Sequence, residues 1–355
     1  MTTERPLSGQ QAVTRGARVA GIVSCLPQRK VLNPEFESTL SQQSVADVIK
    51  MIGVHARHWV DADTTASDLC LRAGEHLLDK LDWAADSVDA LIFLSQTPDY
   101  RLPATACVLH GALKMRPGTI AFDVNLGCSG YPYALWLGMM MVQSGAARRV
   151  LLAVGDTISK TVDPQDRSTA LLFGDAGTMT AIEAGPDEAG ASYFILGTDG
   201  LGARQLIVPN GAIKRHQASD DERWADKDLA CLFMDGGEVF KFTLQAVPAL
   251  IESCLSLSGR AASEHDAFLF HQANLFMLKH LIKKTKLPAE RVPINIDRYG
   301  NCSCASIPLL MTTDLADRLR TEPMTLAMFG FGVGFSWAAA SLTTQPLNCV
   351  ETIYL

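Results

Sequence analysis

Three segments of this chain recur in the same order about 175 residues downstream, and no other feature limits the possible folds as much. Ser87-Val-Asp-Ala-Leu-Ile-Phe-Leu94 resembles Glu264-His-Asp-Ala-Phe-Leu-Phe-His271. Phe122-Asp-Val-Asn-Leu-Gly-Cys128-Ser-Gly resembles Ile296-Asp-Arg-Tyr-Gly-Asn301-Cys-Ser-Cys, and Arg149-Val-Leu-Leu-Ala-Val-Gly-Asp resembles Met324-Thr-Leu-Ala-Met-Phe-Gly-Phe. One hydrophobic strand matches another by chance. Three matches at nearly one offset imply a duplicated architecture. The 355 residues then divide into halves, 1–185 and 186–355, with no proline- or glycine-rich linker between them and so one shared interface.

The apolar runs read as buried strands: Val19–Val23, Ala90–Leu94, Ile120–Val124, Val150–Val154, Thr178–Ile182, Tyr193–Leu196, Ala267–Phe270, Met324–Phe329 and Trp337–Leu342. They are continuous rather than alternating, as expected where both faces of a strand are covered. Helical patterns at Ser67–Leu81, Leu275–Thr285 and Ser306–Arg318 lie between them, which makes the fold α/β with parallel or mixed sheets. The stretch Lys214–Asp228 is strongly charged and reads as an exposed loop or lid margin.

The formal charge of -7 argues against general nucleic-acid binding, which depends on neutralising phosphates. Nine scattered cysteines without a CxxC pair argue against a disulfide framework or structural zinc, and favour a reducing cytoplasm. The first residues lack an apolar signal core, and the longest apolar run, near 131–142, is short of the about 20 residues a membrane span needs.

Cys128 sits where a strand ending near Val124 turns into a long apolar helix. Backbone N–H groups at a helix start favour a thiolate, so the position predicts a lowered thiol pKa and a nucleophile; the alternative is a buried structural cysteine. Gly127 and Gly130 allow a sharp turn and close approach of a substrate. A thiol nucleophile wants a nitrogen base. His271, at the C-terminal end of Ala267–Phe270, is where α/β active sites gather; a satisfied core histidine is the competing reading. His55, His58, His216 and His265 stand among polar residues and read as surface histidines. Asn301 is the repeat's counterpart of the Cys128 turn and faces the same cleft if the halves are two-fold related; alone it reads as a helix cap. Gly330-Phe-Gly-Val-Gly334 is a tight turn able to expose backbone N–H groups.

Together these motifs resemble the thiolase superfamily, and within it β-ketoacyl-acyl-carrier-protein synthase III. The matching residues are Gly127-Cys128-Ser-Gly130, His271-Gln-Ala-Asn274, Tyr299-Gly-Asn301-Cys-Ser303, Gly330–Trp337, Gly174-Asp-Ala-Gly177 and Asp166-Arg167-Ser-Thr169. The resemblance implies a thiolase-like duplicated fold, two βαβαβαββ halves forming an αβαβα sandwich. It implies a Cys128–His271–Asn301 triad, with an oxyanion hole from the N–H groups of Cys128 and Val333. The implied reaction is decarboxylative condensation of a Cys128-bound acyl group with a malonyl thioester, in fatty-acid or secondary metabolism; His271 and Asn301 would donate to the malonyl thioester carbonyl. The alternative is acyl transfer to an oxygen or nitrogen nucleophile. No metal or resident cofactor is implied. Acyl-coenzyme A or acyl carrier protein would bring the acyl group, with Asn274 and Arg167 on the pantetheine chain and Lys241, Lys283 and Lys284 docking the carrier. The family is dimeric, and Leu102 would reach the partner's acyl pocket. The family's coenzyme-binding Trp and Arg are replaced here by Asp47 and Met51, and Phe276 stands where Arg is frequent. These departures point to a specialised donor.

Overall fold

The computed structural model describes residues 8–185 and 190–355. The strands of the two main sheets begin with β1 (Gln10–Thr14), β2 (Ala17–Leu26), β3 (Ala90–Leu94), β4 (Ile120–Val124), β5 (Arg149–Asp156) and β6 (Ala176–Ala184). They continue with β7 (Ser192–Thr198), β8 (Ala267–Phe270), β9 (Met324–Gly332), β10 (Ser336–Thr344) and β11 (Cys349–Tyr354). A six-stranded sheet runs β11-β2-β6-β5-β3-β4 and a five-stranded sheet runs β1-β7-β10-β9-β8.

The duplication is visible in the strand order, since β2-β6-β5-β3 of one sheet corresponds to β7-β10-β9-β8 of the other. In each, a parallel pair (β3 with β5, β8 with β9) is followed by antiparallel neighbours. The terminal strands cross over: β1 completes the sheet of the second half and β11 that of the first. Neither was expected from its apolar pattern, because both are edge strands with half-exposed residues. The expected boundary at 185/186 falls at the edge of residues 186–189, outside the described residues.

Six helices matter for the site: α1 (Gln42–Ile52), α2 (Ala66–Leu81), α3 (Gly130–Gln143), α4 (Gly236–Ser258), α5 (Leu275–Thr285) and α6 (Ser306–Thr313). Helices α3 and α6 are apolar on nearly every face and pack between the two sheets. Amphipathic α2 covers the outer face of β2 and β6, and α4 covers β9 and β10. The result is the five-layer αβαβα sandwich. Side-chain caps stop fraying: Asp235 accepts from Glu238 N at 3.1 Å and Asn274 from Met277 N at 2.7 Å.

Two expectations need correction. The helix expected over Ser306–Arg318 stops at Thr313 and resumes as Ala316–Thr321; at the break Asp314 is tied to Arg298 at 2.7 Å. His58 and His265 are buried rather than exposed. His58 Nδ1 bonds Pro27 O at 2.6 Å, and His265 bonds Ala261 O at 3.1 Å and Ser341 Oγ at 3.0 Å. Polar neighbours in sequence do not report burial by distant elements. The charged stretch Lys214–Asp228 is largely exposed, but its Trp224 is fully buried and pins it down.

Candidate active site

The parallel strands deliver two of the three chemical groups at their C-terminal ends. After β4, the N–H of Gly130 donates to Gly127 O at 2.7 Å, closing a tight turn that holds Cys128 just before α3. The glycine-rich end of β9 packs directly on this turn. A Cβ at Gly332 would stand 2.8 Å from Cys128 Cβ and 3.1 Å from Sγ, and one at Gly330 would stand 2.7 Å from Ser129 Cα. Only hydrogen fits at either position. After β8, His271 N donates to Phe329 O at 2.8 Å, so the ladder with β9 continues one residue past the strand.

Asn301 comes from the mirror-related turn. Gly300, at φ 67°, turns the chain there, where a Cβ would sit 2.7 Å from Leu172 O. Asn301 N donates to Leu172 O at 2.9 Å and Asn301 O accepts from Gly174 N at 3.1 Å, which stitches the second half to the first. Its Oδ1 accepts from Ser303 N at 2.9 Å, leaving the Nδ2 group with one long 3.4 Å contact to Ala273 O.

Cys128, His271 and Asn301 line one narrow channel of about 70 Å³, together with Asn274, Met277 and Phe173. A second, wider cavity of about 470 Å³ starts at the same cysteine and is bordered by Gln96, Asn125, Leu206, Ser303 and Val333. The cysteine therefore stands where two cavities meet, a layout suited to receiving one group from each side.

The electrostatics differ from the expected lowered thiol pKa. Burial pushes the Cys128 thiol up to about 12; the Ser303 hydroxyl, 4.0 Å from Sγ, and the N–H groups of Val333 and Cys128 act in the opposite direction without prevailing. A thiolate at a helix start is favoured by the dipole, but here it also has to leave water, and desolvation is the larger effect. Burial likewise lowers His271 to about 4, so the imidazole is neutral at pH 7. Its Nδ1 lies 3.2 Å from Ser303 O, a carbonyl that can only accept. The ring proton is thereby assigned to Nδ1, and Nε2 carries the lone pair. The resting pair is thiol and neutral imidazole, not an ion pair.

The remaining expected site residues are spread more widely. Asn274 caps α5 and borders the channel. Val333 borders the wide cavity. Arg167 is exposed and borders neither space. Lys241 is 65% exposed on α4, Lys283 is exposed on α5, and the Lys284 ammonium is bound back to Leu244 O at 2.8 Å. Leu102 is 83% exposed. Sequence reasoning quoted Ser303 within its motif without giving it a role, and missed Phe173 and Gln96. Ser303 lies two residues after Asn301 in the repeated turn, which was the available signal. Phe173 and Gln96 carry none, because only long-range packing brings them to Cys128. Among the described residues no group of three or more His, Cys, Asp or Glu is placed to hold a metal ion, and no helix is long and apolar enough to cross a membrane.

The family models of 3-oxoacyl-(acyl-carrier-protein) synthase III match residues 122–200, and those of its C-terminal part residues 255–344. A β-ketoacyl-(acyl-carrier-protein) synthase III of Streptomyces coelicolor is 35% identical over 340 residues, spanning 95% of this chain and 100% of its own length. The chain belongs to the 3-oxoacyl-(acyl-carrier-protein) synthase III family. It is an enzyme of the acyltransferase class with the thiolase-like fold. The crystal structure of a 3-oxoacyl-(acyl-carrier protein) synthase from Burkholderia xenovorans is 62% identical, covering 98% of this chain and 99% of that one with a TM-score of 0.97. A synthase III structure from Pseudomonas aeruginosa is 31% identical, covering 94% and 99% with a TM-score of 0.83. In this chain Cys128, His271 and Asn301 line one channel.

Proposed function

We propose that this synthase III family member condenses a Cys128-bound acyl group with a malonyl thioester, releasing CO₂ and a β-ketoacyl thioester. The observation that carries the reading is the meeting of the three groups, from both halves of the duplicated fold, at the junction of a narrow channel and a wide cavity. In the first half-reaction the Cys128 sulfur attacks the donor thioester carbonyl while its proton passes to His271 Nε2. The N–H groups of Cys128 and Val333 stabilise the oxyanion. The carbon–sulfur bond of the donor then breaks, and its thiolate leaves with that proton.

In the second half-reaction malonyl thioester enters the narrow channel. Loss of CO₂ leaves its bonding electrons as an enolate, whose oxygen is held by Asn301 Nδ2 and by the imidazole with its proton on Nε2. The neutral ring reaches that state when Nε2 takes a proton from water and Nδ1 releases its own to water, giving up the 3.2 Å contact to Ser303 O. The enolate carbon attacks the acyl-cysteine, and the Cys128 thiolate departs and takes one proton from water. No resident cofactor or metal takes part. Hydrogen-bond donors aimed at a forming oxyanion are worth about 3 kcal/mol each in comparable sites.

The acyl donor arrives on coenzyme A or an acyl carrier protein, its pantetheine passing Asn274 and, nearer the surface, Arg167. Lys241, Lys283 and Lys284, on the helices that border the channel, provide positive charge for an acidic carrier. A homodimer is supported by the unpaired apolar edge of β4, where Ile120 is 43% exposed, and Leu102 would then meet the partner's cavity. The deciding experiment incubates the enzyme with acyl donors and carboxyl-labelled malonyl thioester. Labelled CO₂ with a β-ketoacyl product is expected; acyl transfer with no CO₂ release would overturn the reading.

A further inference from the structure

The wall of the wide cavity says something about the acyl group it takes. At about 470 Å³ it falls in the range of pockets that bury drug-sized ligands, about 300–1,000 Å³, whereas a two-carbon acyl group would leave nearly all of it to water. Phe173, Leu206, Val208 and Leu232 make most of the wall apolar. Beside Cys128 the lining changes character, with the carboxamides of Gln96 and Asn125 side by side.

The two amides are held in place. Asp156, fully buried, accepts from Gln96 N at 2.7 Å and from Ser95 Oγ at 2.9 Å, which fixes the loop after β3. The Gln96 carboxamide lies against Gly127, the residue before the nucleophile; a Cβ there would overlap Gln96 Oε1. Its Nε2 donates to Asn125 Oδ1 at 3.4 Å. Either orientation of the two amides that keeps this contact leaves one NH₂ group and one carbonyl oxygen for an occupant. An unsubstituted alkyl chain packed over the two amides would displace water from both polar groups and satisfy neither, which is unfavourable.

We propose that the preferred acyl group is larger than acetyl and carries an oxygen substituent close to its carbonyl, read by Gln96 and Asn125. This rests on the acyl-cysteine reading above. In loading, the Cys128 thiol gives up its proton, a sulfur–acyl bond forms, the donor thioester bond breaks and coenzyme A leaves as the thiol.

The test measures Cys128 loading by intact-protein mass spectrometry, without malonyl thioester, using acetyl-, octanoyl- and 3-hydroxyoctanoyl-coenzyme A. The 3-hydroxyoctanoyl donor is expected to load at least tenfold faster than octanoyl, and octanoyl faster than acetyl. Gln96→Leu should bring the hydroxyoctanoyl-to-octanoyl ratio near one; Asn125→Ala, at an exposed position where folding is not at stake, should lower it in the same direction. Equal loading of the two eight-carbon donors, preference for acetyl, or an unchanged ratio in both variants would overturn the proposal while leaving the acyl-cysteine intact. Failure of every donor to label Cys128 would instead remove the acyl-cysteine reading, and this proposal with it.

Discussion

Replacing His271 by Gln should flatten the dependence of stability on pH, by an amount that follows from its burial. The ring is 2% exposed, and its pKa falls from 6.5 to about 4 because the charged form loses water and gains only the Ser303 carbonyl. The folded-state pKa lies below the unfolded one, so between these values the unfolded chain binds the proton first. Stability from this group is therefore complete above about pH 6.5, falls as pH drops, and has fallen by its full amount near pH 4. Between pH 7.5 and 5.0 the loss is about 2 kcal/mol, from about 1.5 decades of differential protonation. Urea unfolding of wild type and His271→Gln at the two pH values, at one protein concentration, gives four free energies. Other groups that titrate in this range, among them His58, His265 and Asp175, contribute equally to both proteins and cancel in the difference. The wild type should lose about 2 kcal/mol more than the variant. Equal losses would show that the imidazole is not desolvated, and the neutral resting pair with Cys128 would fall with it.

Three other outcomes are expected. Iodoacetamide should modify Cys128 at a rate that climbs about tenfold per pH unit from 7 to 9, as for a thiol raised to about 12 by burial; a plateau below pH 8 would mean a stabilised thiolate. Asn301→Ala removes the Nδ2 donor and leaves Ser303 N without its partner, so malonyl decarboxylation should fall about 10²–10³-fold while Cys128 loading, followed by mass, changes less than tenfold. Gly332→Ala places a methyl group 2.8 Å from Cys128 Cβ; calorimetry should register about 1–3 kcal/mol of destabilisation with loss of acylation, and a variant of normal stability and loading would contradict the packing described here.

Much of the architecture was legible in the residues. Each apolar run expected as a strand is one, and Ala90–Leu94, Ile120–Val124 and Ala267–Phe270 agree to the residue. Strands covered on both faces need unbroken apolar character, which is a local signal. The terminal strands β1 and β11 escaped notice because an edge strand in this fold is defined by the neighbour it pairs with, and those neighbours, β7 and β2, are far away in sequence. At the site, Cys128, His271 and Asn301 could be named from motifs and from the repeat, and they do border one channel. Gln96, Phe173 and the buried state of His58 and His265 could not.

The sequence alone determined the duplicated α/β plan and pointed to the three side chains proposed to do the chemistry, because strand patterning and motif spacing are written within short stretches. Only the tertiary structure decided their protonation. A helix start argues for a thiolate, but the two sheets and the glycine turn of β9 remove water from Cys128 and His271, and that removal is a sum over contacts from both halves. It also decided the shape and lining of the wide cavity, since Gln96, Asn125, Leu206 and Val333 meet there only when the layers close.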